Sequence, residues 1–183
     1  MAITIDGSNG IDIGAGNLTF PDSSVQSSSG QPILMTAVTA SGTSVDFTGI
    51  PSWVKRITVM FSGLSTNGAS QIQLQLGDAG GIETTGYLGG GSTAGTQALL
   101  ASGFQILNSG SAASLGHGAC VISLLDPSAN TWVASGTTAL SSTAQAGVIG
   151  GSKSLSDVLT QLRIATVNGI DTFDAGSINI MYE

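Results

Sequence analysis

Along most of the chain apolar and polar residues alternate one by one. Arg56–Ser62 sets Ile57, Val59 and Phe61 on one side, and Gln71–Leu76 sets Ile72, Leu74 and Leu76 on one side with Gln71, Gln73 and Gln75 on the other. A period of two is the mark of a half-buried strand. Gly118–Leu125 is more continuously apolar and predicts a more buried strand; Leu162–Val167 and Ser177–Tyr182 complete the clear cases. Weaker strand patterns cover 33–38, 44–47, 103–107, 130–135 and 144–149. Turn formers separate them at Ser65-Thr66-Asn67-Gly68, Asp126-Pro127-Ser128 and Asn168-Gly169-Ile170-Asp171. Short strands with frequent turns predict an all-β fold, an antiparallel β-sandwich of jelly-roll type, over residues 32–183. One helical pattern competes. Ser154–Asp157 has the form of a capping box, and Leu155, Val158, Leu159 and Leu162 keep helical spacing, which predicts one or two turns at most. Gly89–Gly95 is of low complexity and predicts a surface loop.

Residues 1–31 follow a different pattern. Ile3 and Ile5, then Ile11 and Ile13, alternate with polar residues around Asp6-Gly7 and Asn9-Gly10; Leu18, Phe20 and Val25 follow before a serine-rich end. A segment this short and this poor in apolar side chains cannot offset its own ordering entropy. The expectation is an extended N-terminal arm over 1–31 that is ordered by association, with Ile3, Ile5, Ile11, Ile13, Leu18, Phe20 and Val25 meeting other copies or a larger particle. Three copies would bring the isoleucines to a common axis.

Composition then removes whole classes of function. The 183 residues are enough for one domain and an extension. Only 4 are Lys or Arg against 11 Asp or Glu, a net charge of -7. Four scattered cations do not make a phosphate-binding patch, so no nucleic acid is expected as a partner. The same shortage argues against binding at a membrane surface, and no apolar run reaches the roughly 20 residues of a spanning helix. Hydrophobic residues make up 41% and charged ones 8%, the reverse of a disordered chain. So little charge implies that much surface is covered by other chains. Residues 1–30 hold no Lys, no Arg and no apolar run of signal-peptide length, so the expectation is synthesis in a cytoplasm without signal-directed export.

Candidate chemistry is sparse. His117 lies three residues before Cys120 and is the one available base for a Cys/His or Ser/His pair, but no Gly-x-Ser-x-Gly frame accompanies it. One histidine and one cysteine do not make a structural zinc site, and no cofactor is expected. The run Gly150-Gly151-Ser152-Lys153-Ser154 departs from a phosphate-binding loop because Ser152 stands where glycine must precede the lysine. Asp171 and Asp174 offer a carboxylate pair, or oxygens for calcium beside Asn168, and equally are ordinary turn formers. Trp53, Trp132, Tyr87 and Tyr182, with Gln71, Gln73 and Gln75, have the aromatic faces and planar amides that contact a glycan in a shallow site. The same residues serve as core and as a solvated sheet face. The chain is expected not to be an enzyme.

Several stretches resemble bacteriophage fibre proteins. Leu18-Thr19-Phe20-Pro21-Asp22-Ser23-Ser24-Val25-Gln26 is similar to a Phe-Pro-Asp-Gly-Thr-x-Gln segment that precedes a β-rich tip in that class, with Ser23 in place of the usual glycine. The opening Met1–Ile11, the stretch Ser44–Pro51 with Trp53–Val59, and the ending Leu162–Ile164 with Asp171–Ile180 resemble the same class. The resemblance implies a homotrimeric virion surface protein with a short stem and a β-sandwich head. Its partners would be itself, other virion proteins of tail or capsid, and a host surface glycan. It implies assembly in a bacterial cytoplasm, location at the virion surface, and no catalytic residues. A capsid decoration or head-fibre protein is the alternative; a glycan depolymerase and a free-standing carbohydrate-binding module are the readings from other classes.

Overall fold

The computed structural model describes residues 4–6, 10–12, 18–19, 25–26, 31–93, 96–98, 100–108 and 110–183. The chain divides into two compact units, Met1–Pro32 and Ile33–Glu183. In the first, β1 (Thr4–Asp6) pairs antiparallel with β2 (Gly10–Asp12), Ile5 opposite Ile11. Strand β3 (Leu18–Thr19) pairs with β4 (Val25–Gln26). Of the predicted anchoring residues, Ile5, Ile11, Leu18 and Val25 fall in these strands, while Ile3, Ile13 and Phe20 lie outside the described residues.

The second unit is all-β and antiparallel. Its strands are β5 (Ile33–Leu34), β6 (Val38–Thr39), β7 (Ser44–Thr48), β8 (Arg56–Thr66), β9 (Ile72–Asp78), β10 (Gly81–Ile82), β11 (Leu88–Thr93), β12 (Thr96–Ala98), β13 (Phe104–Leu107), β14 (Gly116–Asp126), β15 (Thr131–Leu140), β16 (Gln145–Ser154), β17 (Gln161–Thr166) and β18 (Phe173–Tyr182). The larger sheet runs β12-β11-β16-β15-β14-β8-β18-β5, with β6 also on β18. The smaller runs β10-β9-β17-β7, with β13 also on β9. Among the described residues there is no helix, and none long and apolar enough to cross a membrane.

The alternation read from the sequence builds the core. On the smaller sheet Leu162 stands between Leu76 and Phe47, and Ile164 between Leu74 and Val45. On the larger sheet Ile122 pairs with Ile57, and Val59 stands between Cys120 and Ile180. All eleven are buried and belong to one apolar cluster, so the two sheets form a sandwich. Each such side chain contributes roughly 1.5–3 kcal/mol on burial.

Two expectations fail for physical reasons. Residues 155–160 form no helical turn. Ser154 ends β16 with its hydroxyl on Thr131 Oγ1 at 2.8 Å, and the Ser156 amide donates to Glu83 Oε1 at 2.6 Å, so the amide a helical cap needs is engaged elsewhere. The helical spacing of Leu155 and Leu159 instead closes one end of the sandwich, where both are buried. Residues 89–93 of the glycine-rich run are also not a loop: β11 spans Leu88–Thr93 and pairs with β16, Gly89 opposite Gly151 and Gly90 opposite Gly150. A Cβ on Gly151 would lie 2.6 Å from the Leu88 carbonyl oxygen and 3.0 Å from the Phe104 ring. Glycine here allows the strands and an aromatic ring to approach closely.

Strand registers define two ends of the sandwich. Ile33 pairs with Tyr182, so the chain enters this unit at the end where β8 begins and β14 finishes. We call this the near end. The opposite, far end carries the turns at 40–43, 67–71, 110–115, 141–144 and 167–172.

Candidate functional site

The far-end turns contain no Lys or Arg, and Asp171 is their one carboxylate. Ser, Thr, Asn and Gly dominate them, residues that satisfy turn backbones with their own short side chains. Asn168 Oδ1 accepts the amides of Ile170 and Asp171, each at 3.0 Å. Asp171 Oδ2 accepts the Ser70 amide at 2.8 Å, and the Asn168 amide donates to Ser70 Oγ at 3.2 Å. Asn67 Oδ1 accepts the Thr172 amide at 2.9 Å, and Ser65 Oγ donates to the Ala112 carbonyl at 3.3 Å. The 167–172, 67–71 and 110–115 turns are thereby cross-linked to one another or to the strand beside them. Exposed hydroxyls and amides on such a surface suit hydrogen bonding to a neutral polar ligand, and Ile170 and Leu115 stand exposed among them.

Of the residues named for catalysis or calcium, Asn168 and Asp171 belong to this network, the Asp171 carboxylate accepting from the Ser70 amide of the neighbouring turn, and Asp174 is exposed in β18. Among the described residues no three of His, Cys, Asp and Glu gather as a metal site. His117 Nδ1 accepts the Gly63 amide at 3.2 Å and lies 3.3 Å from Ser62 Oγ; Nε2 lies 3.0 Å from Ser141 Oγ. Accepting at Nδ1 leaves the ring proton on Nε2 for Ser141. None of these partners is a carboxylate that would orient a catalytic imidazole. Cys120 is fully buried, and burial pushes its thiol up to about 12. It is no nucleophile for His117.

The predicted glycan residues do not come together. Tyr87, Trp132, Gln73 and Gln75 are buried, Trp53 is 44% exposed at the near end, and Gln71 is half-buried at the far end. Tyr87 belongs to the core: its hydroxyl accepts the Leu76 amide at 2.6 Å and donates to the Glu83 carbonyl at 2.9 Å, and its ring meets Phe104 edge-on. The glutamines were expected on a solvated face. The segment at Ser102 covers them, its hydroxyl donating to Gln73 Oε1 and its carbonyl accepting from Gln75 Nε2, each at 2.8 Å. No local pattern announces a lid from thirty residues further along.

The near end gathers other features. Trp53 packs against Tyr182 with ring centroids 5.8 Å apart, and Leu125, Val158, Ile33 and Leu34 are exposed around the same end. Arg56 is ion-paired with Glu183. Beneath them a cavity of about 60 Å³ is lined by Val54, Lys55, Leu124, Asn130, Trp132 and Leu159 among others. The Trp132 Nε1–H is buried without a protein partner among the described residues. A cavity of this volume has room for a water molecule.

Sequence reasoning missed the densest charged cluster. Lys153 is buried and ion-paired with Glu83, and its Nζ also donates to the Ser154 carbonyl at 2.6 Å and lies 5.6 Å from the centre of the Tyr87 ring. Ser156 Oγ donates to Asp78 Oδ2 at 2.6 Å. The Ser156 hydroxyl, with the Gly80 amide, holds the Asp78 carboxyl below its ordinary range against the effect of burial. Burial raises the Glu83 carboxyl, but Lys153 and the Ser156 amide outweigh it and leave the group lowered. Both carboxylates are saturated by protein donors, so the cluster fastens the β9–β10 turn to the end of β16. The signal was Lys153, far in sequence from the chain's other lysine, and the one internal glutamate, Glu83, in a chain with few charges.

No family model, curated protein or solved structure matches the chain.

Proposed function

We propose that the chain is a structural protein of a bacteriophage surface, a homotrimeric fibre or appendage that contacts the host. Residues 1–31 attach it to the particle and help to hold three copies together. Residues 32–183 form the head. The observation that carries this reading is the polarity of the head. The chain enters at the end where Trp53, Leu125, Val158, Ile33 and Leu34 are exposed, which suits burial against a stem or a virion partner. The cation-free turns lie at the other end, tied by the bonds of Asn168, Asp171 and Asn67. Loops held in place by a rigid sandwich are where recognition commonly resides. The resemblance of Leu18–Gln26 and Ser44–Val59 to fibre proteins supports the same assignment.

Co-sedimentation of full-length and arm-deleted protein with virions tests it. The full chain is expected to band with particles, and residues 32–183 alone to stay free while keeping the same β-type circular dichroism. Equal banding of both forms, or of neither, would overturn the assignment of the arm. A second reading is a capsid decoration protein. Copies per particle separate the two: a few trimers for a tail, tens to hundreds for a capsid.

A further inference from the structure

The two outer faces of the sandwich differ in charge. The smaller sheet carries the Arg163–Asp46 pair, with bonds of 2.7 Å, across β17 and β7. Among the described residues the larger sheet carries no charged side chain on its outer face between His117 at the far rim and the Arg56–Glu183 pair at the near rim; Asp174 is exposed at the far start of β18. One cross-strand row shows its character: Val148 pairs with Thr137, Thr137 with Ala119, Ala119 with Met60 and Met60 with Asn179. Five strands at ~4.8 Å spacing and about ten residues at ~3.3 Å give a face of roughly 800 Å². That is about what one partner contributes to a standard protein interface.

This face is not uniform. On the β16 side Val148 is 61% exposed and stands beyond small neighbours, Ala146 and Gly150. On the β8–β18 side a groove of about 210 Å³ opens, lined by Ala37, Met60, Ser62, Ser177 and Asn179 over Phe61 and Ile178. One half offers a projection and the other a recess. A ring closed by a three-fold axis joins the first half of one copy to the second half of the next, and a two-fold pair also seats each projection in the other copy's recess; closure with three copies is taken from the homotrimer reading and not from the shape of the face.

We propose that the head forms trimers through this face, the occupant being a second copy of the same chain, with Val148 of each copy entering the Met60 groove of the next. This rests on the homotrimer reading above and locates it. Charge supports the choice of occupant. Copies of net charge -7 repel each other, and an uncharged face lets them meet without stripping water from an ion. Association here also covers apolar surface that a charge-poor chain otherwise leaves in water.

The test is a V148C/M60C double variant of the full chain under mild oxidation, read on a denaturing gel, beside light scattering of the unaltered protein. Val148 and Met60 sit three strands apart, about 14 Å, too far for a disulfide within one chain. Buried Cys120 does not interfere. A covalent trimer is expected, with neither single variant forming one, and Val148→Lys is expected to raise the trimer dissociation constant at least 100-fold while leaving circular dichroism unchanged. Light-scattering trimers that yield no cross-link and ignore Val148→Lys would overturn this face and leave the trimer reading standing. A cross-linked dimer would overturn three-fold closure. A monomeric full chain would overturn the trimer reading itself.

Discussion

Lys153 and Glu83, seventy residues apart in sequence, form an ion pair at the edge of the core, with Lys153 almost wholly buried and Glu83 partly so. Removing one member leaves the other charge without its partner in a poorly solvated place. Lys153→Ala is expected to lower stability by about 3 kcal/mol, measured by urea unfolding. The same cluster sets an acid limit. Asp78 and Glu83 are both lowered on folding from ordinary values of 3.8 and 4.5. Their contribution is therefore complete above those values and is lost as pH falls through the lower folded ones. Urea midpoints are expected to hold steady between pH 7 and pH 5 and to fall below about pH 4.5. Ser156→Ala, which removes the hydroxyl on Asp78, is expected to make that fall shallower.

Period-two alternation was enough to place the main strands, because one face of each is buried and a one-residue slip would expose it. It carried Ile57–Phe61 and Ile72–Leu76 to the right side of the sandwich. It did not say whether the opposite side was wet. Gln73 and Gln75 share a pleat with solvent-facing positions, yet Ser102 covers them from a distant segment. Glycine content misled in the other direction: Gly89–Gly91 has the composition of a loop and the pairing of a strand, with glycines also opposite Gly89 and Gly90. The near-end aromatic pair Trp53–Tyr182 was out of reach, since it joins the turn before β8 to the end of β18, and those two strands are paired only in the fold.

The Gly89–Gly151 contact makes a sharp prediction. Gly151→Ala places a methyl group against the Leu88 carbonyl and the Phe104 ring, neither of which can move without opening the sandwich. A loss of about 3 kcal/mol is expected, at the upper end for overpacking, checked by thermal and urea melts. Gly150→Ala is the control. A Cβ there meets nothing within 4 Å, so little change is expected.

Cys120 lies at the centre of the larger sheet, fully buried, with its thiol raised by that burial. A thiol-specific reagent at pH 8 is expected to leave the native protein unmodified for hours and to titrate one thiol per chain in denaturant. Rapid labelling of the native protein would mean that β14 opens readily, against the buried register of Cys120 with Val59.

The central claim is that three copies stand on a phage particle by their arms and turn the Asn67, Asn168 and Asp171 loops outward. Electron microscopy of intact virions carrying a gold label at an exposed far-end turn, compared with one at the arm, tests it most directly. The account expects label from the far end at the outer tip of a three-fold appendage and arm label at its base or hidden. Particles bare of label, with the protein left in the soluble fraction, would contradict it.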